Sequence, residues 1–172
     1  MSALAFLVFF LMLGAQEARP PSLRIADTRL AALLAGEAQR SPTLQSVVDR
    51  VRAGDVIVFV QTVHWLPREL AGTVTWIGAS APYRYVRVLV KVQSSGDALL
   101  ANLGHELQHV IEVMGADWVT DARSLLGLYR QIGKPTNSSR LAWDTVEAQW
   151  TGEQILRELK GQAAGAASAG ER

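Results

Sequence analysis

The apolar positions along the chain fall into segments of different period, and the periods predict the elements. SLRIAD, at residues 22–27, reads as a short strand. Leu30, Leu33 and Leu34 then recur at helical spacing within TRLAALLAGEAQR, residues 28–40. SPTLQSVVDRVRAG follows as a second short helix. Its Ser41–Pro42 start suits a cap and a first helical position, and Gly54 ends it. DVIVFVQT, residues 55–62, is continuously apolar and β-branched, as expected of a strand buried on both faces. GTVTWIG, residues 72–78, alternates. YRYVRVLVKV, residues 83–92, alternates for longer, with Val86, Val88, Val90 and Val92 on one face and Arg87, Leu89 and Lys91 on the other. GASAP between these two runs is a turn, so they are expected to pair as antiparallel strands.

SSGD, residues 94–97, closes the strand-rich half. Helices are expected over residues 97–114, 117–132 and 144–159, the second stopped by Gly133 and Pro135. The expected fold class is α+β: a small three- to four-stranded sheet followed by a helical C-terminal half. Residues 3–15 form an unbroken apolar run, too short to span a bilayer, which needs about 20 residues. Small residues and the polar QEARPPS follow it. Residues 1–18 therefore read as a secretory signal peptide, residues 19–160 as one domain, and the Gly- and Ala-rich residues 161–172 as a disordered tail. That organisation implies an exported protein that is free of the membrane after cleavage.

Composition narrows the chemistry. A net charge of +1 gives no electrostatic case for nucleic acid. The absence of cysteine excludes disulfides, thiolate metal sites and a cysteine nucleophile. Against that background ANLGHELQHVIEV, residues 101–113, stands out. It holds His105 and His109, two of the three histidines, with Glu106 between them. Histidines four apart on a helix project to one side and can grip one ion, and a glutamate on the flank of that face can take a proton from a metal-activated water. At about 100° per residue, Leu99, Leu103, Leu107, Val110, Ile111 and Met114 form an apolar stripe opposite His105, His109 and Glu112. Gly104, inside this helix, reads either as room for close approach by a strand or a substrate or as a glycine tolerated without a role.

Catalytic zinc uses three protein ligands plus water. No histidine stands six residues after His109, and His64 reads as a loop residue. Glu112 shares the histidine face but sits a turn beyond the metal, which suits a supporting or entrance role. Asp117 and Asp121 read as caps of the following helix. The third metal ligand is expected to be Asp144, with Glu147 as the alternative. The same two acids also spell a capping box, with Trp143 and Ala148 as a staple. Tyr83, Tyr85 and Tyr129 are candidate hydrogen-bond donors to an oxyanion, with ordinary packing as the competing reading.

GHELQHVIEV resembles the motif helix of a group of small exported bacterial HExxH proteins. RSPTLQSVVDRVRAGDVIVFV, LAGTVTWIGASAPYRYVRV, LLGLYRQIG and the WDT at Trp143 to Thr145 carry the same resemblance over most of the chain. More broadly the chain is similar to zincin metallopeptidases of the gluzincin kind. That resemblance implies a minimal zincin-like domain, with Zn2+ held by His105 and His109 and Glu106 as general base. In the smaller group an acidic residue followed by threonine stands where Asp144 and Thr145 stand, which favours Asp144. Gluzincins usually place glutamate there, so an aspartate departs from their pattern. The implied activity is zinc-dependent hydrolysis of a peptide or protein substrate by a monomeric, periplasmic or extracellular enzyme. The alternative is a metal-binding or interaction protein on the same scaffold, without turnover. Zincins also bind substrate along a strand edge beside the motif helix, and residues 83–92 are the expected edge.

Overall fold

Valine parity decides how the sheet is covered. The computed structural model describes residue 20 and residues 22–136 and 139–169, so the apolar run at residues 3–15 lies outside the described residues. In chain order the elements are β1 (Leu23–Ile25), α1 (Thr28–Glu37), a 3-10 turn (Ala38–Arg40), α2 (Pro42–Ala53), β2 (Val56–Val63), β3 (Gly72–Ser80) and β4 (Tyr83–Lys91). Then come α3 (Gly96–Met114), α4 (Ala122–Ile132), β5 (Lys134–Thr136), β6 (Ser139–Asp144) and α5 (Val146–Ala169). The class is α+β, as the sequence predicts.

The first four strands form one sheet in the order β1-β2-β4-β3, parallel except for the antiparallel β3–β4 pair. Val58 pairs with Val86 and Val60 with Val88, and Val74 pairs with Val88 from the other side. Val56, Val58, Val60, Val86, Val88 and Val90 are fully enclosed and join a core with Leu44 and Val51 of α2, Leu103 and Leu107 of α3, and Ile155 and Leu159 of α5. Each such side chain contributes about 1.5–3 kcal/mol by burial. A one-residue slip of register would turn the valines outward and lose that contribution. The expected burial of β2 on both faces is met at Ile57 only, because Phe59 is half-buried and Gln61 exposed.

One expectation is corrected by the strand order. β4 is an interior strand, and the edges are β1 and, beside α3, β3. Once α1 and α2 have carried the chain back across the sheet, β2 pairs in parallel with β4 and takes the side that the β3–β4 pair leaves open. Arg87 and Lys91 therefore lie on a strand paired on both sides.

Arg84 has the parity of the valines and is buried with them. Its Nε and Nη2 donate to the Asp55 carboxylate at 2.9 and 3.1 Å. Its Nη1 donates to the Val113 and Ala116 carbonyls at 2.9 and 2.8 Å, and Nη2 to that of Met114 at 3.3 Å. Carbonyls at the C-terminal end of α3 have no intrahelical partners, and a cation is favoured there. The planar fork of one guanidinium thus ties β4, the start of β2 and the end of α3 together.

The other side of α3 packs against α5. A Cβ on Gly104 would stand 2.1 Å from Ile155 Cδ1, and one on Gly152 would stand 3.3 Å from the Ala101 carbonyl. Glycine in a helix costs about 1 kcal/mol relative to alanine, and here it lets two helices meet closely. The close approach at Gly104 is therefore to a helix, not to a strand or a substrate. Glu158 of α5 reaches α2, accepting from the hydroxyls of Ser41 and Thr43 at 2.5 and 2.7 Å. α3 is consequently buried around most of its circumference, rather than apolar on one face and open on the other.

Two helix starts shift. α4 begins at Ala122, where Asp121 accepts from the Ser124 amide in a capping box; Asp117 is exposed and caps nothing. A hairpin of β5 and β6 fills the stretch before α5, so Asp144 ends a strand instead of opening a helix. Thr145 is the cap in its place, its hydroxyl accepting from the Ala148 amide at 3.1 Å. α5 runs on to Ala169, past the end expected near residue 159, through an alanine-rich stretch that favours helix and that had been expected to be disordered. Among the described residues no helix is long and apolar enough to cross a membrane.

Replacing Arg84 by lysine keeps the charge but not the fork. Arg84→Lys is expected to lower unfolding free energy by about 1.5–3 kcal/mol, the range for hydrogen bonds to a charged group. Urea denaturation measures it, and a loss under about 0.5 kcal/mol would show that the fork does not hold the end of α3.

Candidate metal centre

Two elements converge beside the edge strand β3. α3 carries His105, Glu106 and His109; β6 ends at Asp144; β3 runs alongside from Gly72. Helical spacing puts the two imidazoles on one side of α3, their ring centroids 5.0 Å apart and nearly perpendicular. The β5–β6 hairpin delivers Asp144 to them from the opposite direction. Asp144 Oδ1 lies 3.3 Å from His105 Nε2 and 3.6 Å from His109 Nε2.

The donor atoms of His105, His109 and Asp144 all lie within 4.8 Å of one another. Two ligands bound at about 2.0–2.1 Å around a tetrahedral ion stand roughly 3.4 Å apart, so both edges to Asp144 have the length that a shared ion requires. Two imidazoles with one carboxylate form a donor set that suits transition metals better than calcium or magnesium. Glu147 is exposed on the first turn of α5 and is not part of this group. Glu112 is not part of it either. His64 is exposed beyond β2, and Tyr83 and Tyr85 sit half-buried on β4 away from the cleft.

The surroundings set the protonation. Glu106 is 5% exposed. Burial pushes its carboxyl up to about 7, opposed by the charges of His109 and His105. Its side chain lies against β3, where a Cβ on Gly72 would stand 2.5 Å from both Cγ and Oε1 of Glu106. A side chain at that position would have to displace the Glu106 carboxylate from the cleft wall. Burial works against a charged His109, but hydrogen bonds with the Asp144 and Glu112 carboxylates outweigh it and raise the imidazole to about 10. Burial would raise Asp144, but hydrogen bonds from His105, His109 and Gln149 hold it well below the usual carboxylate range. Tyr129 packs edge-on against His109, with ring centroids 5.2 Å apart, and donates its hydroxyl to the His109 carbonyl at 3.2 Å. Its phenol is engaged with the backbone, and burial pushes its pKa well above 10.

These groups open onto a cleft of about 600 Å³. β3 forms one wall, Leu125 and Leu126 of α4 a second, and Trp143 of the hairpin a third. The sequence reading missed the hairpin, Gly72 and the role of Thr145. Ser and Asn between Thr136 and Leu141 are a turn signal that could have revealed the hairpin. Nothing local marks Gly72 as the neighbour of Glu106, because that contact depends on which strand is the edge. No family model, curated protein or solved structure matches the chain.

Glu106 makes a pH-dependent prediction for the protein in chelator. With its carboxyl raised to about 7 from 4.5, the folded chain holds a proton that the unfolded chain releases. The penalty for ionising the buried group is absent below about pH 4.5 and grows as pH rises through 7, to about 3 kcal/mol at 1.36 kcal/mol per unit. Glu106→Gln removes that penalty. Its stability relative to wild type is expected to improve by about 1–3 kcal/mol between pH 5 and pH 8, read by denaturant unfolding. A difference that stayed flat with pH would show that Glu106 is well solvated.

Proposed function

We propose that the chain is a zinc-dependent peptidase. The observation that carries this reading is the convergence of His105, His109 and Asp144 on one point, with Glu106 beside them at the wall of a cleft. The two imidazoles and the aspartate would hold the zinc, which supplies Lewis acidity toward water and toward a carbonyl. Glu106 acts as general base: its carboxylate accepts a proton from water at the cleft wall and delivers it to the departing amine. Leu125, Leu126 and Trp143 line the other walls of the cleft. The edge of β3 offers unpaired backbone groups along which an extended peptide can lie. The apolar run at residues 3–15 supports export, which places the substrate outside the cytoplasm.

Glu106→Gln is expected to retain one zinc per chain while its rate on a susceptible peptide falls by a factor of about 10²–10⁴. A zinc-loaded variant that cleaves at the wild-type rate would overturn the role of Glu106. One zinc per chain, with no cleavage of a broad peptide library by the wild type, would replace the peptidase reading with metal binding without turnover.

A further inference from the structure

We infer that Glu112 and Thr145 are positioning residues that lock His109 and Asp144 into register with each other. The inference rests on the metal site proposed above. His109 belongs to a helix and Asp144 to the end of a strand, and neither element alone sets the distance between their side chains. Glu112 lies one turn beyond His109 on α3, and its side chain is 9% exposed. Its Oε2 sits 2.8 Å from His109 Nδ1. Its Oε1 accepts a 2.5 Å hydrogen bond from the Thr145 hydroxyl, across 33 residues of sequence.

Thr145 carries the linkage onward. It is 1% exposed, and its backbone N–H donates to Asp144 Oδ1 at 2.8 Å. That is the same oxygen that faces both histidines. The Thr145 hydroxyl also accepts from the Ala148 amide, so the start of α5 is anchored to the same point. An unbroken path therefore runs from His109 Nδ1 through Glu112 and Thr145 to Asp144. With Nδ1 donating to a carboxylate, the lone pair available to a metal is on Nε2, the nitrogen turned toward Asp144. A buried carboxylate whose two oxygens are both committed in this way is neither a ligand nor a substrate contact. It fixes the tautomer of one ligand and the position of another.

The test is zinc affinity of the full chain, measured by competition with a chromophoric chelator. Removing such a partner typically weakens metal binding by about 10–100-fold. Glu112→Gln and Thr145→Val are each expected to show a loss in that range, and Thr145→Ser, which keeps the hydroxyl, to stay near wild type. The double variant Glu112→Gln with Thr145→Val is expected to lose about as much as the worse single one, because the two act in one chain. Thr145→Val also removes a helix cap. Glu112→Gln does not, so an affinity loss that Glu112→Gln shares with Thr145→Val and that Thr145→Ser lacks isolates positioning from loss of the cap. Wild-type zinc binding that both variants match within twofold would overturn the inference and leave the metal site standing. A wild-type chain that binds no zinc would overturn both.

Discussion

The close crossing of α3 and α5 is the constraint on which the site depends. Gly104 and Gly152 let the two helices approach until Ile155 lies where a methyl on Gly104 would be. α5 can then begin next to His105 and His109, and the residue before its cap is Asp144. If either helix stood farther away, the carboxylate would not reach the imidazoles, whose spacing is set by the helix alone. The sheet bears on the same helix from the other side through the valines of β2 and β4, and Arg84 ties down its last carbonyls. α3 is thus held at its face, its back and its end. This suits a site whose groups must stay within tenths of an ångström of their places.

Such a site opposes stability locally. Glu106, His109 and Glu112 have nearly enclosed side chains, and Asp144 is half-buried beside them. Burying ionisable groups is unfavourable unless each is paired. Here the pairing is complete for His109, Glu112 and Asp144. Glu106 differs, since its carboxyl has no hydrogen-bond partner among the described residues and is raised by burial. Of these four ionisable groups, the one left least satisfied stands at the cleft wall, where a ligand or water can reach it. A conflict between local stability and fold at one residue is expected at functional positions.

Much of this was legible in the sequence, for reasons that can be located. The alternation of Val86, Val88 and Val90 required a half-buried strand, and His105 and His109 required a shared helix face. Both signals are local and periodic. Asp144 was named because an acid was needed and few were placed to return across the cleft, but its secondary structure was misread. The capping-box spelling of Asp144 and Glu147 is genuine as a pattern. The real cap, Thr145, stands one residue later because the β5–β6 hairpin extends to Asp144. Strand order was not legible, since a parallel partner for β4 arrives from residues far earlier in the chain. With it went the identity of the edge strand and the contact of Gly72 with Glu106. The two-faced character of α3 was overstated for the same reason: periodicity reports which residues are apolar, not which helices come to lie on the rest.

The central claim is that His105, His109 and Asp144 share one ion. X-ray absorption at the zinc edge on the chain loaded with one equivalent of zinc tests it most directly. The expected spectrum contains two imidazole nitrogens at about 2.0–2.1 Å and oxygen at about 2.0–2.2 Å, with His109→Ala removing one of the imidazoles. A spectrum without imidazole scattering, or a chain that releases its zinc on desalting, would contradict the account.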